Sequence, residues 1–450
     1  MELLEVLMSV FLFALLHPMF WFVILLTIIQ YRRISGMEQK LFGRNINNVW
    51  RQVLSSLGLG ALGGFAASVV LLLLGLSLEQ IGLYFIWPVA LILLLIHPRF
   101  LCFAYAGGLV GVAVLLAQAA ARLFPGFAGS LIGGALLQVH LPAVLVLIGL
   151  LHLIEALLIY LGGHHGFTPV YYKCAAGEVV GGFSLQRFWP MPLVALMVTV
   201  VLQSDITGIS MPDWWPLLKP SLQPGAGESL QYLAVPVAAG LGYADLALSS
   251  TPQEKSLFSA RYLALYSVVL LAVALAAEYY PPLVIPGVIL APLGHELVIV
   301  YGNKREMSRD PLYRDDARGI KVMMVLPGSA AEQAGLKQGD IIQKVNGFPV
   351  RNLTELLARI EDSYFMLLLE GLRMEKDFSV VFKKGKSGPS LAPDDYTKAA
   401  FMAPDYATLH RSAALGLIAV PPRHSRLYVE KRRPRPLGWL RRIIKGKNSA

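Results

Sequence analysis

Long apolar runs dominate the first 300 residues, so this part of the chain must fold in lipid rather than in water. A hydrocarbon core about 30 Å thick takes roughly 20 apolar residues to cross as a helix. Nine hydrophobic runs approach that length: residues 6–29, 53–78, 81–96, 101–121, 141–162, 190–209, 230–248, 262–277 and 283–301. The third, eighth and ninth are the weakest, being short or interrupted by Pro88, Pro286 and Pro292. The 450-residue chain has 55% hydrophobic and 15% charged residues, against roughly 45–50% and 25% in soluble proteins. Residues 1–302 are therefore expected to form an α-helical polytopic membrane bundle of about nine helices. The first run exceeds the apolar core of a signal peptide, follows no basic segment and precedes Arg32 and Arg33, so it is expected to stay in the mature protein.

Charge sets the expected orientation, because Lys and Arg are retained on the cytoplasmic side. With the N-terminus outside, the inner loops hold ten basic residues: Arg32, Arg33, Lys40, Arg44, Arg51, Arg99, Lys173, Arg187, Lys255 and Arg261. The outer loops hold two, Arg122 and Lys219. This bias, with Lys304, Arg305 and Arg309 after the last run, places the C-terminal part in the cytoplasm of a multi-pass cell-membrane protein. The net charge of +10 comes almost wholly from the end: residues 386–450 carry 13 Lys+Arg against 4 Asp+Glu, an excess of 9.

Residues 311–385 are of a different kind, a small α+β unit. A strand at 320–326 ends at Pro327-Gly328, Ser329 caps a short helix at 330–334, and Gly335 stops it. Gly339-Asp340 turns into a strand at 341–345, and Asn346-Gly347 is a turn pair. Asn352 with Glu355 starts a helix that carries Leu353, Leu356, Leu357 and Ile360 on one face, and strands near 364–370 and 378–382 close the sheet. This order resembles a PDZ domain, which captures an extended peptide by strand addition at a sheet edge. Carried over residue by residue, the resemblance implies a carboxylate-holding loop at Arg318, Gly319 and Ile320. The implied groove walls are Ile320, Val322, Leu353, Leu356 and Leu357.

PDZ domains often accompany proteases, but no catalytic set is recognisable in the sequence. A zinc protease helix needs HExxH, and His295-Glu296 is followed by Leu297, Val298 and Ile299. A GxSGG-like nucleophile turn is also missing. Cys102 and Cys174 lack ligand spacing and read as packing residues, so neither a metal nor another cofactor is expected. An intramembrane protease would have to assemble ligands such as His152, Glu155 and His295 from distant segments. An ion-coupled transporter would use Asp245, Glu155 or Glu278. Interhelical hydrogen bonding is the plainer role for all of these, and a non-enzymatic scaffold is the leading reading.

Residues 386–450 read as a disordered basic tail, with a short amphipathic segment at 437–446. There Trp439, Leu440, Ile443 and Ile444 face one way, with Arg441 and Arg442 opposite and Arg432 and Arg433 just before. Such a segment suits the anionic lipid of a cytoplasmic leaflet. A tail already tethered to a membrane is not expected to bind nucleic acid.

Five segments together resemble MinJ-type topological determinants of cell division. They are His17-Pro18-Met19-Phe20-Trp21, the loop starting Tyr31-Arg32-Arg33, Leu151-His152-Leu153-Ile154-Glu155, residues 180–190 (VGGFSLQRFWP), and Gly294-His295-Glu296. The resemblance spans about residues 10–385 and leaves out the tail. It implies a bridge between a DivIVA-like polar protein and the MinC/MinD division inhibitor, enriched at poles and septum.

Overall fold

A computed structural model describes residues 2–205, 209–220, 222, 224–363, 366–383 and 404–429. The membrane body begins with α1 (Glu2–Leu16) and α2 (Pro18–Phe42), bent by 54° where His17 caps α2 and Pro18 opens it. Then come α3 (Val49–Leu74), α4 (Leu83–Ile96), α5 (Phe103–Leu123), α6 (Leu131–Leu137) and α7 (Leu141–Gly162). A three-stranded antiparallel sheet follows, β1 (Thr168–Lys173), β2 (Val179–Leu202) and β3 (Glu228–Ala247), and then α8 (Pro252–Tyr279) and α9 (Val284–Ser308).

The expected sixth and seventh spans, 190–209 and 230–248, are thus not helices: their described residues lie mainly in β2 and β3, paired from Phe183↔Ala247 to Leu202↔Glu228. Five helices are long and apolar enough to cross a bilayer: α3, α5, α7, α8 and the stretch Pro281–Ser308 that contains α9. The bent pair α1–α2 makes a sixth, and α4 is shorter.

A strand edge among membrane helices must satisfy its own backbone groups, since lipid offers no hydrogen bonds. The edge of β2 turned away from β3 does so against α2, α3 and the turn that follows α3. Phe188 N–H donates to Tyr31 Oη (3.3 Å), Val194 N–H to Ser68 Oγ (2.8 Å) and Val198 N–H to Glu79 Oε2 (3.0 Å). Leu78 N–H donates to Leu196 O (2.8 Å). Between these contacts stand Pro190 and Pro192, which have no N–H to satisfy. Gly60 and Gly64 let the strand come close, because a Cβ on either would overlap the carbonyl of Pro190 or Pro192.

α3 and β2 run from one end of the body to the other, while β3 returns beside β2. α7 lies antiparallel to α3, with Ile154 and Leu158 against Gly63. At one end, Glu306 of α9 is 3% exposed and accepts the N–H groups of Leu248, Ser249 and Ser250 (2.7, 2.6 and 3.0 Å), which fixes the β3–α8 turn. Thr251 and Glu254 then form a full capping box on α8.

On that same end sits the small α+β head: β4 (Ile320–Val325), α10 (Ala330–Gln333), β5 (Ile341–Val345), β6 (Phe348–Pro349), α11 (Leu353–Asp362), β7 (Met366–Arg373) and β8 (Lys376–Lys383). Ser329 and Asn352 are the N-caps that their side chains suggest, accepting from Glu332 N–H (3.2 Å) and Glu355 N–H (2.9 Å). Two further elements come from the segment expected to be disordered: α12 (Pro404–Ala414) and β9 (Leu417–Ala419). They order because their apolar residues have two cores to enter. Leu415, Leu417 and Ala419 complete the head core, and Leu409, Ala413, Ile418 and Val420 join the core shared with the body. The expected amphipathic segment 437–446, with Arg432 and Arg433, lies outside the described residues.

Gly60 and Gly58 lie on one helix and separate packing from propensity. Gly60→Ala is expected to lower the melting temperature of the detergent-solubilised protein, by about 1–3 kcal/mol of overpacking. Gly58, with open space around its missing Cβ, should be neutral or gain up to about 1 kcal/mol on changing to Ala.

Candidate functional site

Strand addition needs a free sheet edge, and β4 has none. The sheet order is β8-β7-β5-β4-β9, so β4 is flanked on both sides and the edge strand is β9. The implied loop Arg318, Gly319 and Ile320 is correspondingly placed away from any open edge. The Arg318 guanidinium bonds Asp316 (2.9 Å) and Glu375 (2.6 Å) and holds both carboxyls below their ordinary range. Gly319 backs onto the carbonyl of Ile342, and Ile320 and Val322 are buried in the head core. Leu356 and Leu357 are buried there too, while Leu353 is half-buried between the head core and the core of the body.

On the β4 side of the sheet the outermost strand is β9, which the turn Leu415-Gly416-Leu417 leads into. Gly416 adopts φ +86°, and a Cβ there would overlap Ser329. Leu415 O accepts from Ala331 N–H (3.1 Å) and Gly416 O from Leu326 N–H (2.8 Å), which ties the turn to the start of α10. The sequence held a cue in the Leu-Gly-Leu-Ile run at 415–418, but it stands more than 30 residues beyond the last strand read from the sequence.

The chain itself closes this edge. Ser412 Oγ donates to Leu417 O, and Tyr171 Oη of β1 donates to Ala419 O (2.9 Å). Burial raises the Tyr171 phenol well above its ordinary range, so it remains a donor at physiological pH. α12 wedges between α11 and the end of α2: Arg411 Nε bonds Glu361 (2.8 Å), Arg44 Nη1 donates to Ala413 O (3.2 Å), and His410 Nε2 lies 3.2 Å from Lys40 O. The following residues continue along the body. Val429 N–H donates to Tyr171 O (2.7 Å), and Val179 N–H donates to Arg423 O (2.9 Å).

Within the body, the ionisable residues fall into two groups. Asp245 is held by Lys255 (3.2 Å) and Ser259 (2.7 Å), and Glu278 Oε2 lies 3.3 Å from His140 Nε2. The second group gathers where the α4–α5 turn meets the middle of α7 and α9. Cys102 Sγ is 3.2 Å from His152 Nε2, and the His152 and His295 rings pack with centroids 4.8 Å apart. Tyr105 donates to Glu296 (2.6 Å), which also pairs with Arg99. Sequence reading singled out His152, Glu155 and His295 but read Cys102 as a packing residue, because its partners are 50 residues and more away.

A bundle with a docked PDZ-type head defines a polytopic membrane protein with a small C-terminal α+β domain. Residues 290–361 match the PDZ domain family. The chain is 28% identical over 385 residues to the cell division topological determinant MinJ of Bacillus subtilis, a match that covers 83% of this chain and 90% of that protein. The chain is thus similar to MinJ over most of its length and carries a stretch of the PDZ family in its C-terminal part. Serine protease HTRA4 of Mus musculus (36% over 66 residues, 14% of each chain) and the periplasmic pH-dependent serine endoprotease DegQ of Escherichia coli match only a short stretch. The DegQ match is 50% over 58 residues, 12% of this chain and 13% of DegQ. No solved structure matches.

If β9 completes the head, Leu417→Ala should destabilise it by about 2–5 kcal/mol. The readout is faster amide exchange and proteolysis across 320–383 in the full-length protein, with the helices of the body unchanged.

Proposed function

We propose that this protein is a membrane-anchored scaffold of cell division that holds division regulators at the membrane through its PDZ head. The observation that carries the reading is MinJ-type similarity over most of the chain, covering both the helical body and the head. On the proposed reading the regulators are a DivIVA-like polar protein and the MinC/MinD inhibitor, concentrated at poles and septum. The head lies on the cytoplasmic side and the N-terminus outside. In support of that orientation, the head end of the body carries Arg44, Arg51, Lys173, Lys255, Lys304 and Arg305, whereas Arg122 and Lys219 stand at the far end.

A scaffold of this kind needs geometry rather than chemistry: a fixed platform and a groove for extended peptide. The groove assigned to partners is the one between β9 and α11, with Leu353, Leu356 and Leu357 on its helical side. An incoming strand takes over the β9 backbone groups now held by Tyr171 and Ser412. Residues 430–450 follow from the head end, and their Arg432, Arg433, Trp439, Leu440, Arg441, Arg442, Ile443 and Ile444 are assigned to anionic lipid.

Deleting residues 404–429 should leave membrane insertion intact and disperse a fluorescently tagged MinD-like regulator from poles and septa. Unaltered regulator positions in cells whose truncated protein still fractionates with the membrane would refute the scaffold reading.

A further inference from the structure

We propose that Cys102, His152 and His295 form a zinc site inside the membrane body. The three residues come from the α4–α5 turn, α7 and α9, and one ligand atom from each lies within 4.8 Å of the others. Tetrahedral zinc with bonds of about 2.3 Å to sulfur and about 2.0–2.1 Å to nitrogen places its ligand atoms about 3.3–3.6 Å apart. The Cys102–His152 pair is already at 3.2 Å. The remaining approach is on the order of 1 Å, within reach of a small rotation about χ1 of His295 or Cys102.

The protonation pattern suits a metal. His152 Nδ1 lies 2.7 Å from Ile148 O, and a carbonyl can only accept, so Nδ1 carries the hydrogen and Nε2 turns its lone pair toward Cys102. A ligand histidine fixed by a backbone carbonyl through its other nitrogen is the usual support of a zinc site. A Cys102 thiol donating to Nε2 would account for that pair alone. It leaves His295, 8% exposed, with a buried Nδ1 that has no hydrogen-bond partner, an uncompensated cost of burial. Ligation through that nitrogen removes the deficit.

The rings are also braced. His152 packs edge-on against Tyr266 (5.7 Å), whose hydroxyl donates to Ala291 O (2.6 Å), and His295 packs against Tyr105 (5.3 Å). Gly107, Gly108 and Gly111 on α5 let α7 and α9 approach, since Cβ atoms there would press on Ile148, Pro292 and Val288. Binding would release the Cys102 thiol proton and leave thiolate, two neutral imidazoles and Zn²⁺ with a net charge of +1. Glu155 stands one turn beyond His152 on α7 and adds a carboxylate to the surroundings of the three ligands. The ion would clamp the α4–α5 turn to α7 and α9, a role independent of the scaffold reading.

The test uses the full-length chain in detergent, purified through a tag without histidine, stripped with chelator and reloaded with Zn²⁺ or Co²⁺. The expected result is about one metal per chain by elemental analysis, and thiolate-to-cobalt charge-transfer absorption with tetrahedral ligand-field bands. Cys102→Ser and His295→Gln should each lower retained metal by at least about fivefold, while Cys174→Ser retains it. Because a variant can misfold, the wild-type protein carries a second measurement: stripping should lower its melting temperature and reloading restore it. Substoichiometric metal in the reloaded wild type, cobalt spectra without a thiolate band, or equal retention by Cys102→Ser would overturn the assignment.

Discussion

The body depends on one constraint: every backbone polar group at membrane depth must find a partner inside the protein. Helices meet it by themselves, but β2 and β3 do not. The outer edge of β2 meets it where α2, α3 and the turn after α3 present the Tyr31 and Ser68 hydroxyls and the Glu79 carboxylate, and where prolines at 190 and 192 remove two donors outright against close-packed glycines of α3. Unsatisfied amide groups in lipid cost several kcal/mol each, far more than any single packing contact along the strand. The hairpin therefore dictates the composition of α3 rather than the reverse.

The hairpin also reaches past the body and sets the position of the head. β1 pairs with the start of β2 and lends Tyr171 to β9 and a backbone edge to residue 429. Head and body thus share hydrogen bonds, and the state of the β9 edge is coupled to docking. Each such bond is worth only about 1 kcal/mol net. An incoming extended peptide exchanges like for like at Leu417 and Ala419, so the larger cost of opening lies in moving α12 from between α11 and α2.

Much of this was legible in the sequence. Turn residues and caps marked the head from Gly319 to Phe382 almost element by element, since Pro327-Gly328, Ser329, Gly335 and Asn352 each impose a backbone geometry. The membrane character followed from run length alone. Run length was also what failed at 190–209 and 230–248: a strand among membrane helices, whether buried like β2 or half-buried like β3, can be as continuously apolar as a membrane helix. The distinguishing marks were the β-branched run at 198–201 and the alternating prolines. The closing strand was hidden differently, because Gly416 and its leucines sit in a segment whose average composition is that of a flexible tail. The cluster of Cys102, His152 and His295 had no local spacing to betray it, as only the packing of three helices brings those residues together.

The place of β9 in the chain has a consequence for biosynthesis. A head whose core and edge are finished by residues 415–419 cannot complete itself while that stretch is still within the ribosome, although β4 to β8 have already emerged. Products of interrupted translation carry a membrane body and an open, apolar sheet edge, the kind of surface that quality-control proteases and chaperones recognise. Closure of the head thus comes only after every other strand of its sheet is available.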